Sequence, residues 1–304
     1  MTWQMQLQIT VERPADGDTA ARMLCDWFAG SFEAMGGRLR ADLLAAEPPA
    51  ADFLRKRKRT DAFGRPGDVW GQVSIGVQGA RGLRMSEKPF GPASWKAFLD
   101  GMSKAPNLAV LNLVTLDDAG FPNAFPTFRV TAQVNDDFDD WLFLSVEFGP
   151  ELLDEPEFQR STLDFVRGFA DEWNVAHGEI SYDRGSGRTA YESVFRGIPN
   201  RTSTESRKML RGYAWLTLCP QEIGDRLGGV EALRASRAFA EVEPLRNGGY
   251  WLLATQDWRE FGQPAAEKIF PVLAPVLRPG DPLPTVASNP PYYVSRRNAA
   301  ELQG

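Results

Sequence analysis

Apolar and polar residues alternate most clearly at the start of the chain. Trp3, Met5, Leu7, Ile9 and Val11 are separated by Gln4, Gln6, Gln8 and Thr10, the period-two pattern of a strand in a sheet with one wet face. Asp16 to Asp18 offer helix-capping residues. Ala20, Met23, Leu24, Trp27 and Phe28 then recur at three-to-four spacing, which predicts an amphipathic helix. Strand signals return at Val69, Val73, Ile75 and Val77. A short helix is predicted over 94–102, then strands at 108–116, 127–134 and 141–148. In the second of these, Phe128, Val130, Ala132 and Val134 alternate with Arg129, Thr131 and Gln133, so one face is exposed. Leu163, Val166, Phe169 and Trp173 form one stripe of a helix over 157–173. Ile180 and Tyr182 mark another short strand, and 183–204 reads as a loop with a short helix.

The last third is the best patterned. A strand over 213–219 runs into Pro220, well placed for the first turn of a helix that Gly228-Gly229 ends; 230–234 forms a further turn. Strands at 239–245 and 250–255 join through Arg246-Asn247-Gly248-Gly249, where Asn-Gly supplies the positive φ of a tight hairpin. Phe261, Ala265, Ile269 and Leu273 line one face of a closing helix that Pro271 and Pro275 should kink or shorten, and the tail from Pro279 is Pro-rich and extended. The pattern predicts an α+β fold: a mainly antiparallel sheet with helices packed on one side. Strand–helix–three strands–helix over 69–173 loosely matches strand–helix–strand–strand–helix in the last third. That raises two similar α+β halves, 1–182 and 183–304, as an alternative to one continuous domain.

Composition narrows the function classes. The chain has 304 residues, 43% hydrophobic and 24% charged, with nine Trp and nineteen Phe, as a folded core requires. A net charge of −6 disfavours general phosphate-backbone binding and favours a basic protein partner over nucleic acid. Segment 34–68 departs from the pattern, with Pro48-Pro49 and the basic run Arg55-Lys56-Arg57-Lys58-Arg59. With no aromatic platform interleaved, that run reads as a solvated helix end. The cysteines, Cys25 and Cys219, are far apart, which suits a reducing compartment, and Cys25 reads as a small buried hydrophobe. No signal-like start or membrane-length apolar run is seen, so a cytoplasmic location is expected.

Candidate chemistry is sparse. One histidine, His177, and two scattered cysteines give poor zinc spacing, so no metal or cofactor is expected, and His177 reads as a loop or strand-end residue without a special role. Gly185-Ser186-Gly187 lacks the pattern of a phosphate loop. The notable feature is acidic. Residues 130–159 carry Asp136, Asp137, Asp139, Asp140, Glu147, Glu151, Asp154, Glu155 and Glu157 with no Lys or Arg. Three readings stand: solvated acidic turns, an acidic docking surface, or a pair of carboxylates working as general acid and base in a hydrolytic enzyme. The aromatic load leaves a small-ligand sensor open as well.

Arg211-Gly212-Tyr213-Ala214-Trp215-Leu216-Thr217, then Glu222-Ile223-Gly224-Asp225-Arg226-Leu227-Gly228-Gly229 and the hairpin with Gly248-Gly249, resemble the bacterial type VI immunity protein family. Pro279-Gly280-Asp281-Pro282 and Tyr292-Tyr293 are loosely similar too; the resemblance covers about residues 211–282. It implies a non-catalytic immunity protein of a toxin–antitoxin pair, which binds a cognate toxin and blocks it. A toxin with a basic surface would then dock on Asp136, Asp137, Asp139, Asp140, Glu147 and Glu151, with the oligomeric state left open.

Overall fold

The computed structural model describes residues 3–50, 52–284 and 290–303, with backbone alone at 124–127. In chain order the strands are β1 (Met5–Glu12), β2 (Val69–Gly79), β3 (Gly82–Pro89), β4 (Leu108–Leu116), β5 (Pro122–Val134), β6 (Trp141–Phe148), β7 (Val175–Tyr182), β8 (Leu216–Cys219), β9 (Glu241–Pro244) and β10 (Tyr250–Leu253). The helices are α1 (Gly17–Met35), α2 (Gly37–Ala45), α3 (Phe53–Lys56), α4 (Pro92–Asp100), α5 (Pro156–Glu172), α6 (Ala190–Val194), α7 (Pro199–Thr204), α8 (Gln221–Arg226), α9 (Gly229–Ala235) and α10 (Gln263–Leu273).

The strands pair in the order β3-β2-β4-β5-β6-β1-β7-β8-β10-β9, every neighbour antiparallel. The α+β class and the mainly antiparallel sheet are therefore as the pattern predicts. β7 pairs directly with β8, so strands on both sides of residue 182 share one sheet.

One face carries the main helical layer. Asp16 starts α1 by accepting from the Thr19 amide at 2.8 Å. Met23, Leu24, Trp27 and Phe28 then turn inward to join Met5, Leu7, Ile9 and Val11 of β1 in the core. Trp27 packs edge-on to Phe169 of α5, and Phe28 edge-on to Phe98 of α4. The approach of α1 to α5 requires Gly30, because a Cβ there would lie 2.6 Å from the Phe165 ring. α2 and α4 pack on β2, and α1 on β5.

Several elements differ from the sequence expectation. β1 has no wet face: it lies mid-sheet between β6 and β7, and Gln6, Gln8 and Thr10 are buried with the apolar residues. β3 is an edge strand that periodicity does not reveal, since Leu83 through Lys88 are exposed on both faces. The basic run does meet aromatics: the Arg57 guanidinium lies 3.9 Å from the Phe63 ring centre, and Phe63 packs on Trp70 and Phe53. α10 reaches Leu273 with Pro271 inside it, and Pro275 falls in a following 3-10 turn. Part of the Pro-rich tail, 285–289, lies outside the described residues.

Candidate functional site

The second face of the sheet is built from the polar halves of the alternating strands. Register aligns them into cross-strand rows: Arg129–Glu147–Gln6–Ser181, Thr131–Ser145–Gln8–Glu179 and Gln133–Phe143–Thr10–His177. Neighbours in a row sit side by side on one face, within about 5.5 Å at Cβ. Under the 183–213 segment the rows are closed. Arg211 donates to Thr10 Oγ1 at 2.6 Å and to the Gly187 carbonyl at 2.7 Å. Toward β5 they are open, with Thr131, Phe143, Ser145 and Glu147 half-buried and Arg129 and Gln133 exposed.

Where open and closed regions meet lies a cleft of about 360 Å³. Gln6, Gln8, Thr131, Ser145 and Phe143 are in its floor, and Asp183, Gly185, Ser186 and Gly187 line it from the loop after β7. That loop takes left-handed backbone at three successive residues, Gly185, Ser186 and Gly187. It is held by the Gly185 amide donating to Asp183 Oδ1 and by the Arg211 bond to Gly187. The described lining includes the carboxylates Asp136, Glu147 and Asp183 and no Lys, Arg or His.

Beneath the roof sits a closed ion pair. Arg211 Nε and Nη2 donate to the two Glu192 carboxylate oxygens at 2.8 and 2.9 Å. Thr189 caps α6 reciprocally with Glu192, and Thr202 also donates to that carboxylate. Burial alone would raise the Glu192 pKa; the charge of Arg211 and the bonds from Arg211, Thr202 and Thr189 outweigh it and hold the carboxyl below its usual range.

His177 is no loop residue. It is fully buried in β7, with Nε2 3.5 Å from Glu179 Oε2, and Gln8 and Ser181 donate to the other Glu179 oxygen. Both cysteines are unpaired; burial pushes their thiols up, Cys219 beyond the ordinary thiol range.

The six sequence-chosen acids are spread along β6. Asp136 and Glu147 reach the cleft. Asp137 accepts from Asn200 Nδ2 at 2.9 Å, tying the β5–β6 turn to α7. Asp139 and Asp140 are exposed in the same turn, and Glu151 lies in a 3-10 turn beyond the opposite end of β6, about 25 Å away by strand rise. Asp183, Gln6 and Gln8 join the cleft from other strands and loops. The signal of the two glutamines was the Gln-rich alternation of β1, legible only once the register is known, and Asp183 carried none.

Burial raises the Glu147 pKa; Arg129, at 3.5 Å, opposes this and Asp183 adds to it. A carboxyl whose folded pKa is raised is stabilised by protonation, so its penalty is present at neutral pH and fades as pH falls. Glu147→Gln is therefore expected to raise Tm at pH 7 by about 1–3 °C, with the gain vanishing near pH 4. A lowered Tm in thermal melts would mean that the Arg129 contact outweighs the burial.

Among the described residues no helix is long and apolar enough to cross a membrane, and no group of three His, Cys, Asp or Glu could hold a metal ion. No protein-family model matches the chain, and no curated protein matches it. Among solved structures, the Pseudomonas aeruginosa T6SS protein PA0821 is similar. The TM-score is 0.55 at 11% identity, covering 99% of this chain and 82% of that one. At that identity the likeness speaks to fold alone.

Proposed function

We propose that the chain is a non-catalytic immunity protein of a type VI system, which binds a cognate toxin of basic surface in the cytoplasm and blocks it. The observation that carries this reading is the uncovered polar half of the sheet, whose described cleft lining holds three carboxylates and no Lys, Arg or His, with Arg129 beside Glu147 at its edge. A surface of that kind attracts a basic protein and orients it on approach. The fold likeness to a T6SS protein over nearly the whole chain supports the setting, as does the family resemblance across 211–282.

The test is protection. A toxin encoded beside this chain is expressed in a bacterial host with and without it, and growth and complex formation are followed. Relief of growth arrest, with both proteins eluting as one species in gel filtration, is the expected result. Undiminished arrest at matched expression would sink the reading.

A further inference from the structure

We propose that the cleft on the open sheet face takes the side chain of an arginine presented by a protein partner, with its guanidinium between Glu147 and Asp183 and over the Phe143 ring. This rests on reading the chain as a binder of a basic protein and names what that partner inserts.

Three observations converge. The described cleft lining offers Asp136, Glu147 and Asp183 without a cation, which suits a donor-only ligand and repels an anion. Gln6 is 5% exposed, faces the cleft and makes no side-chain hydrogen bond among the described residues. Its amide atoms reach the cleft instead of being sealed off, so they offer an unspent donor and acceptor to whatever enters. Glu147 is desolvated, and its contact with Arg129 is long at 3.5 Å, so its carboxylate retains capacity for a better-placed donor.

Geometry selects guanidinium among cations. It is planar, weakly hydrated and stacks on aromatic faces, whereas an ammonium keeps its water. Phe143 already receives one guanidinium, that of Arg211, 5.7 Å from its ring centre. The Arg211 charge is matched by Glu192, so it does not oppose a second cation. A cleft of about 360 Å³ also has room for the backbone on either side of the arginine, whose amides Gln6 and Gln133 can meet.

The full chain is titrated by NMR with N-acetyl-arginine methylamide and with the neutral isostere, N-acetyl-citrulline methylamide. The arginine compound is expected to bind at millimolar Kd and to shift the Gln6 side-chain amide. The citrulline compound should bind about tenfold more weakly or worse, as should the arginine compound to Glu147→Gln. Equal binding of the two compounds, or no shift at Gln6 up to tens of millimolar, overturns the assignment; the wild-type comparison stands whatever the variant does. Protection against the toxin without arginine binding would remove this assignment alone. Arginine binding without protection would remove the immunity reading and leave the cleft its ligand.

Discussion

Arg211→Met is expected to destabilise the fold by about 3–5 kcal/mol, the range for breaking a buried pair by removing one partner. The Arg211 side chain is 0% exposed and that of Glu192 2%, so the stranded carboxylate would be left buried without its counter-charge. The loss also frees Thr10 Oγ1 and the Gly187 carbonyl. Against a total of about 5–15 kcal/mol for an ordinary domain, this is a large share. Replacing both partners, Arg211→Met with Glu192→Met, should recover much of it, because no charge is then left buried. Urea denaturation of the three proteins measures this; a single variant within about 1 kcal/mol of the parent would show the pair to be dispensable. The sign with pH follows from the depressed Glu192 carboxyl. Its contribution is whole above the ordinary glutamate value of 4.5 and is lost as pH falls through the lower folded value.

The second large effect is expected on association rate. Asp136, Asp139 and Asp140 are exposed, whereas Asp137 is engaged by Asn200, so the informative variant reverses the three and spares the fourth. Changing them to lysine should slow binding to a basic toxin by about ten- to a thousandfold at low salt. The gap should close near 1 M salt, where the screening length falls to about 3 Å. On the proposed reading dissociation should change less, since exposed charges at the rim of an interface act mainly on encounter. Stopped-flow association at two salt concentrations reads this directly. An unchanged low-salt rate would place docking elsewhere on the molecule.

Most of the fold was legible because its elements are periodic. β4 and β6 fall where alternation places them, and α1 begins at the capping aspartate. β3 was not legible: it is an edge strand, and Arg84, Glu87 and Lys88 stand exposed beside Leu83 and Met85, so no apolar side exists to alternate. β1 was legible as a strand, but its Gln residues read as solvent-facing. What buries them is a segment some 180 residues further on, which period-two patterning along one strand cannot reveal. The site follows the same rule. Asp136 and Glu147 stand out by composition, while Gln6 and Asp183 reach the cleft only through strand register and one loop of left-handed backbone.

The position of β1 also dictates when this chain can become itself. Leu7 pairs with Val146 on one side and with Ile180 on the other. At about 5–20 residues per second of synthesis, the first strand leaves the ribosome roughly ten to thirty seconds before its second neighbour exists. Contacts so distant along the chain close late and make folding slow. During that interval β1 lacks its β7 partner along one edge, so the newborn chain is most exposed to mispairing before residue 182 is made.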